Sequence, residues 1–241
     1  MGYYGLIDIG NTGVKVRLYQ NSNAVSSYNL GHNDHALYHF FNDQELDHIL
    51  ISSVVPSINE KIKAFGNKTV LFLNHDHFSS LKINVTPPTS VGIDRLVNAV
   101  AVKNLWGKNT IIVDIGTCVT FCQINSEGDY CGGVIMPGFE MVRKALFNGA
   151  EQLPLVSFPM NQPQFIGTST ESAISSGIFY GAIHMINGSL KQFKSEFKDH
   201  QIILTGGVPR PLLSHLEYDV FEPNLQFIGL EYLYQDIIYK N

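Results

Sequence analysis

The sequence predicts an α/β fold built by duplication, two related domains with a nucleotide cleft between them, and three observations carry that prediction. Asp8-Ile9-Gly10-Asn11-Thr12 and Asp114-Ile115-Gly116-Thr117-Cys118 are two copies of one unit, 106 positions apart. Each copy follows an apolar run, Tyr4-Gly5-Leu6-Ile7 or Thr110-Ile111-Ile112-Val113. Each also precedes an alternating one, Val14-Lys15-Val16-Arg17-Leu18-Tyr19 or Thr120-Phe121-Cys122-Gln123-Ile124. Both copies therefore read as a buried strand, a tight turn and a return strand. Late in the chain, Gln201-Ile202-Ile203-Leu204-Thr205 runs into Gly206-Gly207, where a flat base and ribose can lie against bare backbone.

The two turns carry chemistry of their own. Such a turn exposes backbone N–H groups. Gly10 and Gly116 permit close approach, Thr12 and Thr117 add hydroxyl donors, and Asp8 stands ready for a hydrated cation. An acid in this place can also bond the backbone of its own turn. Its recurrence in the same strand context favours the ligand-binding reading, with two phosphate loops facing one nucleotide.

Composition permits this and excludes other classes. The chain has 241 residues, 44% of them hydrophobic and 15% charged, which suits a globular protein of one large or two small domains. A net charge of −5 with dispersed Lys and Arg argues against nucleic acid or an anionic membrane as the main partner. No uncharged apolar run reaches the length of a membrane span, and the first strand begins close to Met1 without a charged-then-apolar leader, so the expected location is cytoplasmic. Three cysteines, Cys118, Cys122 and Cys131, are too few and odd in number for a disulfide framework.

The remaining elements follow in order. A polar stretch at 29–42 contains a turn at Gly31-His32-Asn33-Asp34. His48-Ile49-Leu50-Ile51-Ser52-Ser53-Val54-Val55 is a buried strand closed by Pro56, and Thr69-Val70-Leu71-Phe72-Leu73 is another, with helices between and after them in βαβ fashion. His75 and His77 fall on one side of an extended segment, without a third metal ligand nearby. After Thr86-Pro87-Pro88-Thr89, apolar positions 93, 96, 97, 100 and 101 lie on one helix face, with Ser90 as the expected N-cap and Asp94 in the first turn. Gly107-Lys108-Asn109 is the expected boundary, giving domains 1–107 and 108–241. The second half adds Gly132-Gly133-Val134-Ile135-Met136-Pro137-Gly138 before a helix, then a proline-rich loop at 153–165. Thr168-Ser169-Thr170-Glu171 has capping-box spacing ahead of a helix reaching Phe197, on which Gly177 and Gly181 read as a close-packing face. A short strand around Leu225-Gln226-Phe227-Ile228-Gly229 and a terminal helix complete the chain.

With these motifs in place, the chain resembles the type III pantothenate kinase family across nearly its whole length. The resemblance rests on Asp8-Ile9-Gly10-Asn11-Thr12 with Lys15, Ser53-Val54-Val55-Pro56, Gly92-Ile93-Asp94-Arg95, Asp114-Ile115-Gly116-Thr117, the 132–138 segment, Ile166-Gly167-Thr168-Ser169-Thr170 and Thr205-Gly206-Gly207. It implies duplicated ribonuclease H-like domains of the superfamily of acetate and sugar kinases, Hsp70 and actin. The implied reaction is ATP-dependent phosphorylation of the terminal hydroxyl of pantothenate, the entry to coenzyme A, by a homodimer whose substrate site lies near the subunit interface. It further implies that Asp8 holds Mg²⁺, through water, on a triphosphate surrounded by Gly10, Asn11, Thr12, Lys15, Thr117, Gly206 and Gly207. Asp94 becomes the general base. Gly92, Ile93, Arg95 and Thr170 join it around the substrate, and Asp114 binds a monovalent cation, K⁺ or NH₄⁺.

Each role has a plainer alternative: Asp94 as a first-turn helix acid, Arg95 as its solvated neighbour, Thr168 or Thr170 as a cap. The chain also departs from the family pattern. Val85-Thr86-Pro87-Pro88 stands where the family has an aromatic residue and an Asn-Pro pair, and Cys118 replaces a small Ala. A catalytically weak or inactive ATP-binding accessory protein of the same fold, or a kinase for another small hydroxyl or carboxyl substrate, are the alternatives at this point.

Overall fold

A computed structural model describes residues 2–43, 46–65, 70–107, 109–197 and 199–239. The chain runs β1 (Tyr3–Gly10), β2 (Gly13–Gln20), β3 (Asn23–Asn29), α1 (Asp34–Asp43), β4 (His48–Ser53), α2 (Pro56–Ala64), β5 (Val70–Phe72) and α3 (Ile93–Leu105). It continues through β6 (Thr110–Ile115), β7 (Cys118–Ile124), β8 (Tyr130–Pro137), α4 (Phe139–Gly149), α5 (Thr170–Glu196), β9 (Gln201–Gly206), α6 (Arg210–Leu213), β10 (Val220–Phe221) and α7 (Leu225–Tyr239). Thr69 of the expected second strand and Lys108 of the expected boundary lie outside the described residues.

Among the described residues the strands form two five-stranded sheets, ordered β3-β2-β1-β4-β5 and β10-β9-β6-β7-β8. Counted from the first strand of each, both have the same order. In each, the first two strands are an antiparallel hairpin, and the fourth and fifth run parallel to the first. The duplication read from two short motifs is thus a duplication of whole sheets.

The chain divides into two compact units. The first comprises Met1–Gly107, Gly128–Cys131 and Asn224–Asn241, and the second Lys108–Glu127 and Gly132–Pro223. In the first, Ile7 and Ile9 of β1, Val14 and Val16 of β2 and Ile49 and Ile51 of β4 pack with Leu37, Phe40 and Phe41 of α1 and Ile58 and Ile62 of α2. The 37, 40, 41 spacing makes the polar 29–42 stretch a helix, because it turns three large apolar side chains to one side. Successive strand residues face opposite ways, so Tyr4, Leu6 and Asp8 take the other sheet face. There Tyr4 stacks on Tyr234 of α7 with ring centroids 3.9 Å apart. In the second unit Ile111, Val113 and Ile115 of β6 pack on Phe179, Ala182, Ile186 and Leu190 of α5, leaving Ile112 and Asp114 on the opposite face.

Several expectations are corrected. Residues 225–229 are not a strand but the first turns of α7; the strand here is β10. Leu225, Phe227, Leu230, Leu233 and Tyr234 are all buried, and a helix covered on more than one side loses the period that marks it as a helix. Ser90 does not cap α3: its hydroxyl donates to Pro87 O at 2.7 Å, closing a 3₁₀ turn, and Gly92 is the N-cap. His75 and His77 lie in another 3₁₀ turn, where His77 Nδ1 accepts the Asn74 N–H at 3.0 Å. At Gly177 and Gly181 an added Cβ would meet nothing within 4 Å, so among the described residues these glycines form no packed face and stand open on α5.

Gly229 does what those glycines do not. A Cβ there would overlap the backbone carbonyl of Val97 in α3, so its absence sets how closely α7 approaches α3. Gly229→Ala should lower stability by about 1–3 kcal/mol through overpacking, read as a lower melting temperature. An exposed helical glycine would instead gain about 1 kcal/mol on the same change, so a higher melting temperature would refute this packing.

Candidate active site

In the first unit, β1 and β2 meet at a turn whose Asn11 and Thr12 are exposed. Gly10 pairs with Gly13 and Asp8 with Lys15 in the antiparallel register. Directly opposed residues share a sheet face, so the half-buried Asp8 carboxyl and the exposed Lys15 stand side by side below the turn. A Cβ on Gly10 would have Gly13 O, at 4.0 Å, as its nearest contact. Packing within the chain therefore does not require a glycine here, and its bare surface is available to a ligand. On β4, Ser52 is aligned with Asp8, and its hydroxyl accepts from Gln226 Nε2 of α7 at 3.2 Å. Asp8 thus faces the side of the sheet on which α7 lies, and α7 in turn packs on α3.

Gly92, Ile93, Asp94 and Arg95 form the N-terminus of α3. Asp94 Oδ1 accepts the Arg95 N–H at 2.9 Å, and a Cβ on Gly92 would crowd that oxygen. Burial pushes the Asp94 carboxyl above its ordinary value of 3.8, outweighing the Arg95 N–H and guanidinium, which pull it down. A carboxyl tuned this way is a better proton acceptor than a solvated one. The guanidinium of Arg95 lies over the Tyr130 ring, 5.7 Å from its centroid. Tyr130 is fully buried and tied at both ends of its peptide, its N–H to Lys82 O at 2.9 Å and its carbonyl to the Asn84 N–H at 2.8 Å. His75 Nε2 donates to Val91 O at 2.9 Å, just ahead of Gly92. Neither Tyr130 nor His75 announces such a role in the sequence, because both reach α3 from distant segments.

In the second unit, β6 and β7 close through Gly116 and Thr117, with the Gly116 N–H on Cys118 O at 2.9 Å. Gly138 seals the loop. Its N–H donates to Thr117 O at 3.1 Å, and a Cβ on it would overlap the carbonyls of both Gly116 and Thr117. Gly206 aligns with Ile115 and has φ +89°, the left-handed region open to glycine. A Cβ there would overlap Asp114 Oδ1 and Ile115 O, so two oxygens converge on this bare Cα. Gly207 is exposed, its N–H donates to Ile115 O at 2.7 Å, and a Cβ would fit at ordinary contact distance. Cys118 turns toward α4, its sulfur 3.9 Å from that of Met141.

Thr170 is the exposed first residue of α5, and the cap is not its own. Ser169 Oγ accepts the Ser172 N–H at 3.2 Å while Ser172 Oγ accepts the Ser169 N–H at 2.9 Å. The capping box therefore sits one residue later than Thr168 and Glu171 would place it. Gly167, pressed against the Ala173 backbone, brings the chain into the helix at that point. The structure thus gathers Asp8, Gly10, Asn11, Thr12 and Lys15 on one hairpin, Gly92 to Arg95 at one helix start, and Asp114, Thr117, Gly206 and Gly207 around the second loop. Among the described residues no cluster of three or more His, Cys, Asp or Glu has metal-binding geometry.

A profile of the family described as type III pantothenate kinase matches residues 6–192. The type III pantothenate kinase of Thermosipho melanesiensis is 34% identical over 246 residues, covering 97% of this chain and 98% of that protein. Among solved structures, a Baf-family protein from Campylobacter jejuni is 20% identical with a TM-score of 0.66, covering 96% of this chain and 98% of the other. MreB 5 of Spiroplasma citri, bound to AMPPNP, is 10% identical with a TM-score of 0.53, covering 99% and 97%. At these identities the structures speak for the fold alone, that of actin, Hsp70 and the sugar kinases. Sequence carries the rest: with its profile matched over most of the chain and a relative 34% identical along its length, the chain belongs to the type III pantothenate kinase family.

Proposed function

We propose that this chain transfers the γ-phosphoryl group of ATP to the terminal hydroxyl of pantothenate, the first step toward coenzyme A. Its family is one of kinases that use ATP as donor. The observation that carries the site assignment is the half-buried Asp94, raised in pKa by its surroundings beside Arg95 at the start of α3. Asp94 takes the hydroxyl proton as that oxygen bonds to the γ-phosphorus and the bond to ADP breaks. Arg95, steadied over Tyr130, holds the carboxylate or amide end of the substrate together with Gly92 and Ile93, and Thr170 adds a hydroxyl. Such transfers are catalysed chiefly by positioning and charge. Asn11, Thr12 and Lys15 on the first loop and Thr117 on the second hold phosphate oxygens, and Gly207 leaves room for the nucleoside.

The oxygen donors at the two loops support the cation assignments. Mg²⁺ on a triphosphate needs only one or two carboxylates, and Asp8, a single carboxyl beside an exposed loop, fits it through water. A monovalent cation, K⁺ or NH₄⁺, would be held by the carboxyl of Asp114, which stands at the second loop against Gly206. When bound, these ions neutralise triphosphate charge and complete the nucleotide site. We also propose a homodimer in the cytosol. Exposed Ile135, Phe147, Met160, Phe165 and Ile166 and the open glycines of α5 support self-association. Three free thiols suit a reducing compartment. No described helix is long and apolar enough to cross a membrane.

The test is ADP release on adding pantothenate, in Na⁺ buffer and then with K⁺ or NH₄⁺. Pantothenate-dependent release that rises with K⁺, and a response to K⁺ that disappears in Asp114→Ala, are the expected results. Release that ignores pantothenate would hand the lead to the accessory-protein reading, and a rate indifferent to the cation would remove Asp114 from its role.

A further inference from the structure

The first phosphate loop is braced from outside by the turn that follows β3. Leu30 N–H donates to Val14 O at 2.9 Å. A Cβ on Gly13 would lie 3.5 Å from the Gly31 Cα and 3.4 Å from Asn29 Oδ1, so the two turns lie in contact. Gly31, at φ +59°, reverses the chain. The reversal carries the exposed His32 back over the loop, where its Nε2 stands 2.9 Å from Gly10 O. A carbonyl oxygen only accepts, so Nε2 bears the proton in this bond.

That bond has a directional consequence. In a planar trans peptide the C=O of one residue and the N–H of the next point opposite ways. Tying the Gly10 carbonyl to His32 therefore aims the Asn11 N–H away from His32, to the other side of the loop. Phosphate loops work by presenting backbone N–H groups already aimed at the anion. Gly10 has the conformational freedom to let this peptide rotate if nothing holds it.

We infer that His32 is a positioning residue for the nucleotide: by holding the Gly10 carbonyl it fixes the Asn11 N–H in the orientation that meets an ATP phosphate. This rests on the reading of the first loop as a site for ATP phosphates. The anchor lies outside the hairpin, 22 residues along the chain from Gly10.

The test compares His32→Ala, His32→Phe and His32→Gln with the wild type in steady-state kinetics and in binding of a fluorescent ADP analogue. The Ala and Phe variants should raise the KM for ATP and weaken the analogue about 3- to 10-fold, the worth of one ordinary hydrogen bond. The KM for pantothenate and the melting temperature should hold. Gln, which keeps an N–H donor of similar reach, should restore most of the loss. Unchanged ATP parameters in Ala and Phe, with an active wild type, would overturn the inference while leaving the kinase reading intact. So would a loss shared by both substrates, accompanied by a lower melting temperature and no recovery in Gln. A wild type that neither consumes ATP nor binds the analogue would overturn the reading of the loop, and this inference with it.

Discussion

Asp94→Asn should lower kcat by about 10²- to 10⁴-fold, the usual worth of a positioned general base, with nucleotide binding little changed. Asn keeps the size of the side chain and an oxygen for the Arg95 N–H, but it cannot take a proton. In the wild type, kcat/KM should rise with pH through the pKa of Asp94, and because burial raises that value, the rise should lie above the ordinary 3.8. The same shift fixes a stability effect. The folded state holds this proton more tightly than the unfolded chain, so Asp94 adds to stability below pH 3.8, and the contribution is lost as pH climbs through the raised value. Ionised Asp94 is therefore a cost at neutral pH. Asn should melt higher than wild type near pH 7, with an advantage that shrinks as pH falls toward 3.8. A variant that is slow and also less stable at pH 7 would mean that the acid is structural.

Asp8→Asn should cut turnover by about 10²- to 10³-fold or more, since it removes a fixed charge at the place where the triphosphate is to be held. The β1–β2 pairing uses backbone groups, and the Asp8–Lys15 register does not depend on the side-chain charge. The fold should therefore survive, and the melting curve and circular dichroism should match wild type. Raising Mg²⁺ should recover part of the rate if the carboxyl only raises local Mg²⁺ affinity. Full turnover at ordinary Mg²⁺ would remove Asp8 from the site.

The sequence by itself determined the features whose causes are local. Asp8-Ile9-Gly10-Asn11-Thr12 and Asp114-Ile115-Gly116-Thr117 sit in tight turns between adjacent strands, and a continuous apolar run before each turn and an alternating one after it identify those strands. α3 was legible from the apolar spacing at 93, 96, 97, 100 and 101 and the polar Asp94 and Arg95 of its first turn, although Asn98, Ala99 and Val102 are buried with them. Where burial is many-sided or contacts come from far along the chain, that information is absent. Leu225 to Gly229 read as a strand because a helix covered on several sides shows no stripe. The edge strand β3 is mostly exposed and polar, and it is held by a ladder with β2 that no local pattern reports.

The candidate site divides in the same way. Its charged and hydroxyl groups stand in short motifs, while what holds them was decided by tertiary structure. Tyr130 lies 35 positions from Arg95 in the chain, and Gly138 closes a loop formed by Gly116 and Thr117. Gly206 is bare because it crosses Asp114 and Ile115, and His32 reaches the Gly10 carbonyl from another turn. A motif records which groups the chemistry needs. The atoms that aim those groups are set by which segments are brought side by side within each unit, and such contacts between distant residues leave no periodic trace in either partner.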